Sequence, residues 1–225
     1  MTGAMRLALR LLLIVVAGAV VLAVAGPAVR GQVQDGRLTT SDGDTVDITG
    51  GARARGLTYA AGVTPADRAW IDAAIARARP EAARLIAEVD GLVTVGTFAD
   101  PGTTLGVTRG HDRGFTVDLN VAHLNGRRQS DRMTVVLHEL GHVIDFALVP
   151  DALNGTLDAQ IPRGGPCGEL VDCDRVEERF ADTFAKWSLN GAVSAAGAGY
   201  GIPVPASIES WGAPLAQLAY GLLAS

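Results

Sequence analysis

The stretch His138-Glu139-Leu140-Gly141-His142 lies inside a longer apolar segment, residues 133–148. The apolar flanks predict that this segment is a buried helix. Residues four apart lie on one face of a helix, so the two imidazoles point the same way and can hold one metal ion. Glu139 lies one residue round from His138. There it can reach a water on that ion and act as a general base without being a ligand.

Several features surround this motif. Ser130 or Asp131 can cap the helix, and Pro150 ends it. Gly141 would let another backbone approach closely, because glycine carries no side chain. We expect Asp145 to orient a histidine or to bind a neighbouring arginine. The alternative for the whole motif is two partly buried histidines that are satisfied by local hydrogen bonds.

A second helix is expected over residues 175–189, capped by Asp174 and ended by Asn190-Gly191. Glu178 and Asp182 are four apart and share one face of it. One carboxylate can coordinate a metal while the other holds the far nitrogen of a ligating histidine. Glu177 is the alternative third ligand, and both glutamates also suit a solvated helix start.

Together the two segments resemble a gluzincin, a zincin-type metallopeptidase. Residues 178–184 read Glu-x-Phe-Ala-Asp-x-Phe, which is similar to the third-ligand helix of the anthrax-lethal-factor-like branch. The resemblance covers about residues 134–145 and 177–184. It implies that Zn²⁺ is the cofactor, held by His138, His142 and Glu178, with Asp182 behind a ligating histidine.

The resemblance also implies a fold and an activity. The expected fold is α+β: one zincin-like domain with a small mixed or antiparallel sheet and an active-site helix. Residues 115–121 alternate apolar and polar as a half-buried strand does. By resemblance this would be the edge strand above the metal, pairing with an extended substrate; the alternative is an ordinary sheet strand.

The expected activity is hydrolysis of a peptide or protein substrate, with Glu139 passing the proton of water to the leaving amine. Cell-wall crosslink peptides cannot be separated from general protein substrates at this level. The alternative function is a zinc-stabilised envelope binding module without turnover. It is suggested by the lack of any tyrosine between Tyr59 and Tyr200 that could stabilise an oxyanion. The side chains that could serve only if the fold brings them in are His111, His123, Tyr200 and Tyr220, and none of them is nominated for that role.

Residues 1–25 have the pattern of a secretory signal peptide: Arg6 and Arg10, an apolar run, and Ala-Val-Ala at 23–25. An uncleaved anchor is the alternative, with membrane association through residues 7–29. Either reading places the body of the chain outside the cytoplasm. The net charge of −5 argues against a nucleic-acid partner. The oligomeric state cannot be inferred.

The remaining chain divides at residue 62. Residues 26–62 are expected to be a linker or irregular arm, and residues 63–225 to form the zincin-like domain. Cys167 and Cys173 are expected to form a local disulfide in an exported chain, with two free thiols as the alternative. Further elements are expected as follows: a helix capped by Thr64 and broken or kinked at Pro80, strands at 92–95 and 104–108, and a helical tail over 205–223 interrupted at Gly212 and Pro214.

Overall fold

A computed structural model describes residues 33–34, 37–39, 45–47, 56–125, 131–163, 175–191 and 201–222. The expected leader over residues 1–25 and the cysteines Cys167 and Cys173 lie outside this described part. Within it, no helix combines the length and the apolar character needed to cross a membrane.

The strands form two sheets. The strands are β1 (Val33–Gln34), β2 (Arg37–Thr39), β3 (Thr45–Asp47), β4 (Thr58–Tyr59), β5 (Val93–Phe98), β6 (Gly106–His111) and β7 (Gly114–Asn120). The first three make an antiparallel meander. The other four make a mixed sheet of order β4-β5-β7-β6, in which β5 is parallel to β4 and β7 while β6 is antiparallel to β7.

Short strands occur in the stretch 26–62 that was expected to be irregular. The meander lies there, and β4 pairs with β5 at Thr58 and Thr94. Leu57 and Tyr59 pack against the core beside this pairing. Strands of two or three residues contain too few positions for an alternating pattern, so nothing periodic marks them in the sequence.

The sheet order corrects one expectation. Strand β7 contains residues 115–120 of the segment that the resemblance placed at the edge, but it lies between β5 and β6, and β6 is the edge strand beside it. The alternative, an ordinary sheet strand, is therefore confirmed. β6 folds back onto β7 through a two-residue turn, Asp112-Arg113, with Thr108 opposite Val117. Alternating burial along β7 predicts which face meets the core. It carries no information about which strand lies alongside, and that is why the prediction was wrong.

Seven α-helices lie in the described part of the chain. They are α1 (Pro65–Ala76), α2 (Pro80–Val89), α3 (Val121–Leu124), α4 (Arg132–Leu148), α5 (Asp151–Asp158), α6 (Val176–Ser188) and α7 (Ile208–Gly221). The Thr64 hydroxyl accepts a hydrogen bond from the Asp67 amide, and Pro80 starts a new helix; both features confirm the prediction. The result is a mixed α/β fold with a small four-stranded sheet.

Helix α4 runs through the centre of the core and packs against α1, α2, α6 and the sheet. The Asp131 carboxylate caps it by accepting from the amides of Met133 and Thr134. Helix α6 begins after Arg175 rather than after Asp174, and no side-chain cap is formed there. It ends where Asn190 and Gly191 adopt positive φ angles of 52° and 73°, as the Asn-Gly pair predicted.

The C-terminal helix α7 is continuous through Gly212 and Pro214, so the expected interruption does not occur. A side chain at Gly212 would collide with the Trp187 indole, which shows that the glycine serves close packing. Trp211 and Leu215 are fully buried on the same helix. Burial of these large side chains outweighs the hydrogen bond that Pro214 removes from the helix.

Candidate metal centre

Helices α4 and α6 approach each other closely at Gly141. A methyl group added at Gly141 would lie 3.0 Å from the Cα atom of Ala181 and 3.2 Å from its carbonyl oxygen. The expectation that this glycine admits another backbone is therefore confirmed. Glu178 lies about one helical turn before Ala181, so the close approach brings its carboxylate beside His138 and His142.

The donor atoms of three side chains converge between the two helices. His138 Nε2 lies 3.2 Å from Glu178 Oε2, and His142 Nε2 lies 3.6 Å from Glu178 Oε1. The two Nε2 atoms are 3.1 Å apart. The ligands of a tetrahedral zinc, each about 2.0–2.2 Å from the ion, are about 3.3 Å apart. The three side chains therefore have the spacing to hold a metal ion, and all their donor atoms lie within 4.8 Å of one another.

In the metal-free cluster, hydrogen bonds and charges keep Glu178 ionised but favour a proton on His142, which a metal ion would have to displace. His138 is 1% exposed and His142 is 7% exposed. Burial alone would raise the pKa of Glu178, but hydrogen bonds from both imidazoles outweigh it and hold that pKa well below its ordinary range. Burial alone would lower the pKa of His142, whereas Glu178, Glu139 and Asp145 together raise it. Glu178 is therefore an anion, as a metal ligand must be.

Glu139 faces the sheet. Its Oε2 accepts a hydrogen bond of 2.8 Å from the Thr108 hydroxyl on β6, and only 2% of the residue is exposed. The backbone of Gly106 lies so close that a side-chain carbon there would be 2.5 Å from Glu139 Oε1. Neither Thr108 nor Gly106 was found from the sequence, because these contacts join positions about 30 residues apart.

The neighbouring glutamate, Glu177, is bonded to an arginine. Glu177 Oε1 accepts a hydrogen bond of 2.7 Å from Arg175 Nε. Of the two glutamates considered as the third ligand, it is thus Glu178 that lies beside the imidazoles.

Asp182 is fully buried one turn further along α6. Its carboxylate forms an ion pair with Lys186, whose Nζ also donates to the Ile202 carbonyl oxygen at 2.5 Å. The predicted role of Asp182 behind a ligating histidine stays a prediction. The pairing with Lys186 was not anticipated, although Lys186 is the only lysine in the chain.

A buried arginine fixes the start of α6. Arg179 is 1% exposed, and its Nε donates to Asp158 Oδ1 at 2.6 Å. Its other nitrogens donate to the carbonyl oxygens of Ile161 and Pro162. An arginine directly before the buried Phe180 is a weak signal of this role, but its partner on α5 is 21 residues away.

Asp145 was expected to orient a histidine or to bind an arginine; no arginine contacts it among the described residues, and the histidine role stays a prediction. Its carboxylate accepts a hydrogen bond from the Asn154 side chain on α5. Burial raises the pKa of Asp145 to about 7 in spite of that hydrogen bond. Asn154 was missed because α5 has too few apolar residues to reveal a helical pattern.

The side chains considered for oxyanion stabilisation have hydrogen bonds elsewhere. His111 accepts from the Arg113 amide, His123 contacts the Gly102 carbonyl oxygen, and Tyr220 donates to Glu81. Tyr200 lies outside the described residues. The structure therefore assigns no oxyanion donor among these side chains.

No model of a protein family, no curated protein and no solved structure matches this chain.

Proposed function

We propose that this chain is a zinc-dependent peptidase of the gluzincin type that acts outside the cytoplasm. The observation that carries the proposal is the convergence of Glu178, from α6, on His138 and His142 of α4. The mixed sheet packed against α4 supports assignment to an α+β, zincin-like domain.

The donor set favours zinc over other common ions. Imidazole nitrogens suit zinc and other transition metals, whereas calcium and magnesium prefer sites made only of oxygen. Two histidines and one carboxylate are also a typical catalytic zinc set, because three protein ligands leave a fourth position open. When bound, zinc supplies Lewis acidity that polarises a carbonyl group and makes water more acidic.

Glu139 is the proposed general base. It adjoins His138 on α4 and its carboxylate lies against β6, on the sheet side of the cluster. From there it takes a proton from the attacking water and passes it to the nitrogen of the leaving amine. His138, His142 and Glu178 bind and orient the ion, and take no proton in this scheme.

The unpaired edge of β6 is evidence in favour of a peptide substrate. Among the described strands, β6 pairs with β7 alone, so its other edge is open. An extended peptide can add to such an edge through backbone hydrogen bonds. β6 also carries the contacts to Glu139, so a peptide bound along it would lie close to the general base.

A second candidate is the zinc-stabilised envelope binding module without turnover. It is favoured by the hydrogen bonds that engage His111, His123 and Tyr220 away from the cluster. Loss of one oxyanion donor typically costs about 100–1000-fold in rate, so a site that lacks one among the described residues fits a structural role of the metal better than an efficient catalytic one.

The two candidates are separated by measuring hydrolysis of a mixed peptide library at equal zinc content. Wild type should cleave, Glu139→Gln should lose at least about 100-fold in rate because the general base is removed, and Glu177→Gln should cleave as wild type does. If the zinc-loaded wild type is inert, the peptidase proposal is rejected and the binding module is favoured.

A further inference from the structure

The side chain of Glu139 lies in a close-fitting seat made by two residues of β6. The Thr108 hydroxyl lies 2.8 Å from Oε2 and 3.0 Å from the Glu139 carbonyl oxygen. A side-chain carbon at Gly106 would lie 2.5 Å, 2.6 Å and 2.7 Å from Oε1, Cδ and Cγ of Glu139. Gly106 and Thr108 are two apart on one strand, so they face the same side of the sheet.

The seat is held by the sheet itself. Gly106 pairs with Leu119 and Thr108 with Val117 on β7. The chain entering β6 is fixed by Asn120, whose side chain donates to the Thr104 carbonyl oxygen at 2.8 Å. The backbone amide of Asn120 donates to the Leu105 carbonyl oxygen at 2.9 Å. The position of Glu139 is thus tied to a hydrogen-bonded strand and not to a loop.

A general base works only when its oxygen is correctly placed, and a misplacement of about 1 Å can cost about 100-fold in rate. The glutamate side chain has three rotatable torsions, so contacts are needed to fix its carboxylate. A buried carboxylate without a hydrogen-bond donor also costs free energy of folding. The Thr108 hydroxyl supplies that donor. The absence of a side chain at Gly106 leaves room for the Glu139 side chain against the strand.

We propose that Thr108 and Gly106 are positioning residues that hold the Glu139 carboxylate for proton transfer. Thr108 acts through its hydroxyl and Gly106 through its lack of a side chain. This proposal rests on the proposed peptidase function.

The test compares Thr108→Val, which removes the hydroxyl at nearly constant shape, with Thr108→Ser, which keeps it. In the zinc-loaded protein, Thr108→Val should lower kcat by about 10–100-fold with KM and zinc content unchanged, since a misplaced base costs rate and not binding. Thr108→Ser should stay within about 3-fold of wild type, because the donor is retained. Thr116→Val on β7, whose side chain points to the opposite face from Val117, is the control and should keep wild-type kcat.

A second measurement needs no activity. In the metal-free protein, the shift in unfolding midpoint is measured for Thr108→Val, for Glu139→Leu and for the double variant. If the hydroxyl serves the carboxylate, the double variant should lose clearly less than the sum of the single losses. Gly106→Ala should lower kcat as Thr108→Val does.

The outcomes are distinct. A wild type that cleaves peptides with Glu139 dependence, together with a Thr108→Val variant of unchanged kcat, overturns the positioning role alone. Additive midpoint shifts in the cycle overturn it as well. A zinc-loaded wild type without hydrolysis overturns the peptidase function and this proposal with it.

Discussion

Gly141 and Ala181 lie in close contact where α4 packs on α6, with only 3.0 Å between an added methyl carbon at Gly141 and the Ala181 Cα atom. His138 and His142 flank Gly141 on α4, and Glu178 lies about one turn before Ala181 on α6. The separation of the two helix axes therefore sets the distance between the imidazoles and the carboxylate. A local packing contact controls the geometry of the candidate metal centre.

Gly141→Ala should weaken both folding and metal binding. The added methyl meets backbone atoms that cannot move alone, and such overpacking costs about 1–3 kcal/mol. The higher helix propensity of alanine stabilises the helix by at most about 1 kcal/mol, which is less than this cost. We expect a lower urea midpoint and at least about 10-fold weaker zinc binding in a chelator competition, as for other changes next to a metal site.

Gly155→Ala is the matched control for that change. Gly155 lies in α5, and an added methyl there meets no atom within 4 Å. It should leave zinc binding unchanged and stabilise slightly through helix propensity. Equal stability and zinc affinity in the two variants would show that the helices do not approach as described.

The local part of the site could be read from the sequence. The spacing of His138 and His142 fixes their shared helix face, whatever the rest of the fold does. The Thr64 cap, the break at Pro80 and the Asn-Gly end of α6 are equally local, and they appear as expected. Glu178 was suggested by a resemblance and not by spacing, because only the packing of α6 on α4 brings it to the imidazoles.

What the sequence could not provide depends on contacts between distant positions. Thr108 meets Glu139 across 31 residues, and Arg179 meets Asp158 across 21. The same alternating pattern serves an edge strand and an inner strand, so β7 was misplaced. Pro214 predicts a helix break on local grounds, yet the burial of Trp211 carries α7 through it.

Arg179→Met should destabilise the fold strongly. It leaves Asp158 buried without its main partner, and removal of one member of a buried ion pair costs about 3–5 kcal/mol. Arg163 also forms an ion pair with the Asp158 carboxylate, but the Arg163 side chain is 59% exposed. Arg163→Met should therefore cost at most about 1 kcal/mol. Thermal unfolding of both variants checks this, and similar losses would contradict the burial of Arg179.

The stability of the metal-free protein should depend on pH through Asp145. Its pKa is raised from 3.8 to about 7 in the folded state, so the folded protein keeps a proton that the unfolded chain releases between those values. The contribution of Asp145 to stability is thus present below about pH 4 and is lost as the pH rises toward 7. Asp145→Asn should gain stability relative to wild type over that range. The measurement is the unfolding free energy of both proteins at pH 4, 5.5 and 7. A difference between Asp145→Asn and wild type that is the same at all three pH values would contradict this prediction.

Lys186 should resist amine-reactive reagents in the folded protein. It is 8% exposed and its Nζ is bonded to Asp182 and to the Ile202 carbonyl oxygen. As the chain has one lysine, peptide mapping by mass spectrometry separates its label from that of the α-amino group. We expect modification of Lys186 in denaturant only, and faster native labelling in Asp182→Asn. If Lys186 is labelled in the native protein as fast as it is in denaturant, the ion pair with Asp182 is absent.

The most direct measurement is the zinc stoichiometry and affinity of the purified chain, by elemental analysis after dialysis and by chelator competition. Wild type and Glu177→Gln should each hold one zinc ion with equal affinity. Glu178→Ala should bind at least about 10-fold more weakly, since it loses a ligand, and Asp182→Asn should weaken binding less. A wild type that retains no zinc, or a Glu178→Ala variant with undiminished affinity, would contradict the metal centre of His138, His142 and Glu178.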